Sequence, residues 1–275
     1  MKKSLISVVM PCYNAGKYVD EAIQSVLAQT LKNFEFIIVD DKSTDNSLEI
    51  IKKYAKKDRR IKLLKNKKNL GIAKTRNIGT KIAKGEYIAV HDADDISLPR
   101  RFEEEADYLS QHPEVGAVGS YMEIFDDASK KIIGVRKYPL EDRELRKVIF
   151  FFSPIAQPAS MIRREVFKKI GFYDERYPPA EDLDFWFRLG TEYKFGNVPK
   201  VLLKYRHTLS SATESKIKIM EKLSNEIRWK NHGNKAYKFG FKAFVYNFFH
   251  LMSIYLIPSK FKLWLFGRLR DEKAG

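Results

Sequence analysis

The chain has 275 residues, of which 44% are hydrophobic and 13% aromatic, enough to bury a full core as one large domain or one domain with an appendage. Its single cysteine, Cys12, excludes an internal disulfide framework and indicates a reducing, cytoplasmic location. The net charge of +16 is uneven, because residues 216–275 carry 13 Lys and Arg against 4 Asp and Glu. This local excess of positive charge indicates that the last part of the chain contacts an anionic surface.

Strand-like and helix-like segments alternate along the first 99 residues. Residues 5–10, 34–39, 61–64 and 87–90 are short apolar runs that predict buried strands, and helical spacing predicts a helix after each of the first three. The first run is also too short for a signal-peptide core or a membrane span. Such alternation predicts an α/β protein with right-handed crossovers and a mostly parallel, Rossmann-like sheet flanked by helices.

Polar clusters follow three of these strands, at the ends where α/β sheets bind ligands. Carboxylate oxygens suit Mg²⁺ or Mn²⁺, which share their coordination with substrate phosphates. The first crossover lacks Gly-x-Gly-x-x-Gly and the chain has no Gly-Lys-Ser/Thr P-loop, which argues against a dinucleotide enzyme or an ATPase. The sequence therefore predicts a nucleotide diphosphate held by a divalent metal. The clusters are Tyr13-Asn14, Asp40-Asp41 and Asp92-Ala93-Asp94.

The next part of the chain predicts a second set of elements. Residues 115–120 and 132–135 predict a hairpin across Asp126-Asp127. A strand then turns into a helix that ends at Gly171, and a further helix begins near Glu181. Residues 202–207 predict one more strand.

Four stretches in this order resemble the inverting glycosyltransferases of family 2, which have the GT-A fold. They are residues 7–14, 39–45, 69–77 and 92–94. Lys42 departs from the pattern, because the family commonly has glycine at this turn position.

The resemblance implies a donor site and a metal site. Asp41 would accept a hydrogen bond from the ring N–H of the nucleotide base, beside a stacking tyrosine, and Arg76 would face the base or the phosphates. Asp94, with Asp92 near the ribose, would bind the Mn²⁺ or Mg²⁺ that bridges the diphosphate. The implied donor-binding residues are Pro11, Tyr13, Asn14, Asp41, Gly71, Arg76, Asp92, Ala93 and Asp94.

Two further residues take roles from the same resemblance. On its own, Glu181-Asp182 reads as an N-terminal cap, since anions are favoured there. It also matches the Glu-Asp motif of the family's acceptor site, which implies that Asp182 is the general base of an inverting transfer. His207 follows a Tyr-Arg pair about one residue earlier than the family's metal or diphosphate histidine, and is the third metal ligand that we expect.

The sequence predicts a catalytic domain over residues 1–215, with a nucleotide half at 1–99 and an acceptor half at 100–215, and a helical extension at 216–275. Residues 243–259 carry no Asp, Glu, Lys or Arg, but they are interrupted by Pro258 and are marginally short for a bilayer span, which needs about 20 apolar residues. Basic and aromatic residues around them suit a helix in the interface of an anionic membrane. Alternatively, the aromatic residues cover the core of the catalytic domain. These residues include Phe239, Phe241, Phe244, Phe248, Phe249, Trp264 and Phe266, with Lys238, Lys242, Lys260, Lys262, Arg268 and Arg270.

The predicted function is an inverting, metal-dependent transfer of a sugar from a nucleotide-diphosphate sugar, preferably a UDP-sugar, to a glycan or lipid-linked saccharide. We expect this reaction at the cytoplasmic face of the membrane, in cell-surface polysaccharide synthesis and without nucleic acid. Two alternatives remain open. An isoelectric point near 9.6 with interleaved aromatic and basic residues also suits a nucleic-acid-binding protein. A nucleotidyltransferase would share the early α/β layout and the metal.

Overall fold

The computed structural model describes residues 5–207, 211–258, 261–262, 265 and 271–272. Several aromatic and basic residues named above lie outside these ranges: Lys260, Trp264, Phe266, Arg268 and Arg270.

The elements of the first half are β1 (Ile6–Cys12), α1 (Val19–Leu27), β2 (Phe34–Asp40), α2 (Ser47–Lys57), β3 (Ile61–Lys65), α3 (Ile72–Ile82), β4 (Tyr87–Val90) and β5 (Ile96–Ser97). Those that follow are α4 (Arg101–Gln111), β6 (Val115–Asp126), β7 (Lys131–Arg136), α5 (Asp142–Val148), β8 (Met161–Arg163), α6 (Arg164–Ile170), α7 (Glu181–Leu189), β9 (Lys194–His207), α8 (Ser211–Lys230), α9 (Phe241–Leu256) and β10 (Asp271–Glu272).

The predicted parallel strands form one side of the sheet, in the order β4-β1-β2-β3. Every residue of β1 and β2 is buried. Helices packed on both faces bury these strands, so their sequences are continuous apolar runs rather than alternating patterns. The α/β class is confirmed.

The other side of the sheet is mixed. The short strand β8 lies between β4 and β6 and is antiparallel to both, whereas β6 and the long β9 are parallel. The predicted hairpin is confirmed, with Asp126 opposite Lys131 across the β6–β7 turn. Among the described strands, parallel pairing is therefore confined to β1–β4 and to β6 with β9.

Asn77 joins helix α3 to the loop before α7 by side-chain hydrogen bonds. Its Nδ2 donates to the carbonyl oxygen of Tyr173 over 2.8 Å, and the backbone N–H of Tyr173 donates to Oδ1 of Asn77 over 3.0 Å. Both residues are buried, and 96 residues of chain separate them. One amide side chain thus satisfies both backbone groups of a residue in the loop before α7.

The described helices after residue 210 pack against the preceding part of the chain. Ile227 of α8 and Ala243 of α9 are buried in the same apolar cluster as residues of the sheet. The hydroxyl of Tyr237 lies 3.1 and 3.0 Å from the carbonyl oxygens of Trp186 and Phe187. The described part of the predicted extension contains most of helix α8 and all of helix α9. The domain boundary after residue 215 stays a prediction.

The opposite face of α9 is exposed and apolar. Within the described ranges, no helix is long and apolar enough to cross a membrane. The buried residues of α9 are Ala243, Asn247 and Ile254, none of which is aromatic, while the other face leaves large side chains exposed. The exposed ones include Phe241, Phe244, Phe248, Phe249, Tyr255 and Leu256.

Candidate active site

The carboxylate of Asp41 organises the loop before α3. Its Oδ1 accepts hydrogen bonds from Nδ2 of Asn66 over 2.7 Å and from the N–H of Leu70 over 2.8 Å. Its Oδ2 accepts from the N–H of Gly71 over 2.9 Å. Since a carboxylate oxygen can accept two hydrogen bonds, Oδ2 keeps one position for a ligand.

The turn after β1 lies against the turn after β2. Asn14 has a φ of 49°, and its Oδ1 accepts a hydrogen bond from the N–H of Thr44 over 2.8 Å. Pro11 is buried within β1, whereas half of the Tyr13 side chain is exposed, which leaves its ring available for stacking. Lys42 has a φ of 64°, the left-handed conformation for which the family's glycine is suited.

The acidic turn after β4 is held by Arg206 of β9. Its Nε donates to the carbonyl oxygen of Asp94 over 2.7 Å, and its backbone N–H donates to Oδ1 of Asp95 over 2.9 Å. Asp95 is buried, whereas Asp92 and Asp94 are partly exposed, with Ala93 buried between them. Burial and then the charge of Asp92 raise the pKa of Asp94 to about 6.

His91, the residue before the acidic turn, also contacts the backbone of this turn. Its Nδ1 lies 2.7 Å from the carbonyl oxygen of Asp92, which can only accept, so Nδ1 carries the proton. Complete burial and then the charge of Arg101 lower the pKa of His91 to about 3. The imidazole is therefore neutral and fixes the backbone of the turn without adding charge to it.

The residues present fit a hard divalent cation that also binds substrate. Oδ2 of Asp95 is buried without a hydrogen-bond partner, and Asp92 and Asp94 bring two further carboxylates to the turn. Within the described part of the chain, no group of three or more His, Cys, Asp or Glu residues is arranged as a metal site. Cations of the Mg²⁺ type commonly take one or two carboxylates and complete their coordination with phosphates and water.

His207 lies at the end of β9, paired with Asp126. Because strand side chains alternate, it shares a face of β9 with Tyr205. Burial and then the nearby Asp95 and Asp94 raise the pKa of Tyr205, so the hydroxyl of Tyr205 lies within electrostatic range of the acidic turn. The role of His207 as a metal ligand stays a prediction.

Arg76 links the acidic turn to the start of α7. Its Nη2 lies 3.1 Å from Oδ1 of Asp92, and its Nη1 lies 2.6 Å from Oε1 of Glu181. The guanidinium also lies 5.4 Å from the ring centre of Tyr173, within cation–π range. Both Arg76 and Glu181 are buried. The structure therefore places Arg76 between carboxylates of the two halves of the site.

Asp182 is the partly exposed neighbour of this buried pair. Its Oδ1 accepts from its own helix, at the N–H of Leu183 over 2.8 Å, and its Oδ2 lies 3.5 Å from Oγ of Ser153. Burial and then the charge of Glu181 raise the pKa of Asp182 to about 7. A carboxylate with this pKa can exchange a proton with a substrate hydroxyl near neutral pH.

Sequence reasoning missed several residues that shape the site. The role of Glu181 as the partner of Arg76 has no local signal, and the loop residue Asn66 looks like an ordinary turn residue. The sequence identifies Tyr205 and Arg206 only as the pair that precedes His207, and it does not predict the contact of Arg206 with the acidic turn. Alternation along β9 was the available signal for Tyr205, since it sets that residue two positions before His207.

A parallel half that ends in an acidic turn, joined to a second half that supplies a further carboxylate, is the arrangement that the resemblance to nucleotide-diphospho-sugar transferases with the GT-A fold implies. Residues 7–171 match the family model of Glycosyl transferase family 2. An uncharacterized glycosyltransferase of Methanocaldococcus jannaschii is 35% identical over 100% of this chain and 96% of its own. The chain belongs to glycosyltransferase family 2 and is a glycosyltransferase.

Solved structures share the fold at lower identity. S. aureus TarS 1-349 in complex with UDP-GlcNAc is 23% identical with a TM-score of 0.64, covering 81% of this chain and 65% of its own. The mannosyltransferase PcManGT of Pyrobaculum calidifontis, in complex with GDP-Man and Mn²⁺, is 16% identical with a TM-score of 0.67, covering 94% and 72%. These similarities confirm the predicted GT-A fold.

Proposed function

We propose that the chain transfers a sugar, with inversion, from a nucleotide-diphosphate sugar to a hydroxyl of an acceptor saccharide. The observation that carries this proposal is the position of Asp182, a partly exposed carboxylate whose pKa rises to about 7 beside the buried pair of Arg76 and Glu181. In its ionised form Asp182 takes the proton of the attacking hydroxyl. A base of this pKa is half ionised at neutral pH and still basic enough to act.

The donor is a nucleotide with a ring N–H, for which we favour UDP. The free acceptor position on Oδ2 of Asp41 suits an imide N–H, and the exposed ring of Tyr13 can stack on the base. The structural relatives support this class of donor, since TarS was solved with UDP-GlcNAc and PcManGT with GDP-Man.

A divalent cation, Mn²⁺ or Mg²⁺, would be held by Asp92 and Asp94, with His207 completing the protein's contribution. When bound, such a cation neutralises the charge that develops on the departing diphosphate. Arg206 holds the carbonyl of Asp94 and therefore orients the acidic turn for this task. The Mn²⁺ complex of PcManGT supports the choice of metal.

We further propose that the enzyme works as a peripheral protein at the cytoplasmic face of a membrane, on a glycan or lipid-linked acceptor of cell-surface polysaccharide synthesis. The exposed apolar face of α9 supports this proposal, because an isolated aromatic face of this size suits a bilayer interface. The positive charge of residues 216–275 adds attraction to anionic lipids.

A donor screen tests the proposal. The purified chain would be incubated with Mn²⁺ and UDP-, GDP-, dTDP- or ADP-sugars, and the released nucleoside diphosphate measured. We expect slow hydrolysis of a donor whose base has a ring N–H, no hydrolysis of ADP-sugars, and loss of the reaction in Asp94→Asn. Release that is equal for all donors, or unchanged in the variant, would contradict the proposed site.

A further inference from the structure

Arg228 of α8 is a buried cation that forms no ion pair with a carboxylate of the described residues. Only 6% of the residue is exposed, and its Nη2 donates to the carbonyl oxygen of Phe151 over 2.9 Å. Its Nε has no hydrogen-bond partner, and no carboxylate forms an ion pair with it among the residues that the structure describes. Burial lowers its pKa, because desolvation disfavours the charged form.

Other buried arginines of the chain differ in this respect. Arg76 pairs with Glu181 at 2.6 Å, and Arg101 pairs with Glu105 at 3.1 Å. Buried charges in proteins are normally paired, since an uncompensated one is costly to desolvate. Arg228 therefore has the environment expected of a cation whose anionic partner is a ligand.

The position of Arg228 indicates which ligand. Phe151, whose carbonyl it contacts, is two residues before Ser153, and Oγ of Ser153 lies 3.5 Å from Oδ2 of Asp182. Asp182 also acts electrostatically on Arg228. The unpaired cation is thus on the acceptor side of the site, whereas Asp41 and the acidic turn form the donor side.

An apolar surface begins next to this cation. The ring centre of Tyr246 lies 5.9 Å from the guanidinium of Arg228, and its hydroxyl donates to the carbonyl of Phe151 over 3.2 Å. Phe248 and Phe249 follow on the same helix, 48% and 64% exposed. A buried cation beside an exposed hydrocarbon face matches an amphiphile with a phosphate head.

We propose that Arg228 binds the phosphate of the acceptor, and that this acceptor is a phosphate-bearing lipid-linked saccharide whose hydrocarbon chain lies along α9. The acceptor role rests on the proposed function, because it depends on Asp182 acting as the base. The binding of phosphate at Arg228 does not depend on it.

Titration calorimetry with a short-chain lipid tests this proposal. Dihexanoyl phosphatidic acid would be titrated into the full chain in the presence of EDTA. EDTA removes divalent cations, so the phosphate cannot bind at the donor site through a metal ion. Dihexanoyl phosphatidylcholine and glycerol 3-phosphate are the comparison ligands. We expect the phosphatidic acid to bind at least about tenfold more tightly than either, the scale expected for one hydrogen bond to a charged group.

Three variants assign the effect to Arg228. Arg228→Gln should weaken phosphatidic acid binding by about tenfold, and Arg228→Lys should retain part of it. Arg146→Gln is the matched control. Arg146 is less buried than Arg228 and also donates to carbonyl oxygens, but it already pairs with Asp142 at 2.7 Å. Circular dichroism shows whether each variant is folded, and Arg228→Lys remains informative if Arg228→Gln is not.

Unchanged binding in the folded Arg228 variants, or no phosphatidic acid binding at all, would overturn the proposal. Equal binding of glycerol 3-phosphate would overturn the lipid assignment and indicate a soluble phosphorylated acceptor. Affinity for UDP with Mn²⁺, measured separately, reports the proposed function. If the chain binds phosphatidic acid but not UDP with Mn²⁺, the acceptor assignment is refuted and the phosphate site at Arg228 remains.

Discussion

Nη1 of Arg76 lies 2.6 Å from Oε1 of Glu181, which makes a buried ion pair between residues 105 positions apart in the chain. The pair is incompletely satisfied, because Nε of Arg76 and Oε2 of Glu181 are buried without hydrogen-bond partners. Natural proteins rarely leave such groups unpaired. The pair therefore indicates a site arranged for its ligands rather than for the greatest stability.

Arg76→Met should lower the free energy of unfolding by about 3–5 kcal/mol, because it leaves Glu181 buried without its partner. Urea unfolding at pH 7 measures the loss. Arg176→Ala is the control, since Arg176 pairs with Asp174 with three quarters of its side chain exposed. That change should cost less than about 1 kcal/mol. Equal losses of unfolding free energy in the two variants would contradict the prediction that removing one partner of the buried pair is costly.

Asp182→Asn should lower turnover by roughly 10²–10⁴ and leave the affinity for the donor nearly intact, the range for losing a positioned general base. Steady-state kinetics of sugar transfer and UDP binding measure the two effects. Asp184→Asn is the matched control two residues away, because Asp184 is buried and pairs with Arg188 at 2.8 Å. It should reduce stability more than turnover. A parallel loss of donor binding in Asp182→Asn would make Asp182 a structural residue.

The pH profile of kcat/KM should rise through about pH 7, because Asp182 acts only when ionised and its pKa lies near that value. Glu181 is a cause of the raised pKa, so Glu181→Gln should move the rise to lower pH. The freed charge of Arg76 acts in the same direction, since it favours the ionised form of Asp182. An unmoved profile in a folded variant would assign the rise to another group.

Gly71→Ala should destabilise the loop that Asp41 holds and weaken nucleotide binding. No atom lies within 4 Å of a Cβ added at Gly71, but its φ of 84° and ψ of 166° suit glycine alone. The expected cost is about 1–3 kcal/mol from backbone strain. Gly233→Ala is the control, because it also has open space for a Cβ and lacks a positive φ. Urea unfolding of both variants should separate strain from crowding.

The full chain should sediment with anionic vesicles and be partly released by high salt, since electrostatic attraction is screened by ions. Phe248→Ser with Phe249→Ser should reduce sedimentation at low salt by removing apolar area from the exposed face of α9. Ile133→Ser on β7 is the control, because Ile133 is 51% exposed but lies away from α9. Equal sedimentation of all three proteins would contradict a role of α9 in membrane binding.

The sequence predicted the elements that local patterns encode. Apolar runs and helical spacing predicted β1–β4 and the three helices between them, but not the two-residue strand β5. The positive φ of Lys42 agrees with the glycine that the family commonly has there. Long-range pairing has no such signal. The insertion of β8 between β4 and β6, and the contact of Arg206 with Asp94 across 112 residues, depend on how distant segments pack. For the same reason, the family resemblance predicts that Arg76 faces the base or the phosphates, but it does not predict the ion pairs of Arg76 with Asp92 and Glu181.

The paired hydrogen bonds between the Asn77 side chain and the Tyr173 backbone limit how members of this family can be recombined. In a chimera that takes residues 1–99 from one protein and 100–215 from another, Asn77 and Tyr173 come from different parents. If the new first half lacks an asparagine there, two buried backbone groups lose their partners. Successful exchanges of residues 100–215 should therefore be those in which the asparagine is transferred along with the loop that it holds.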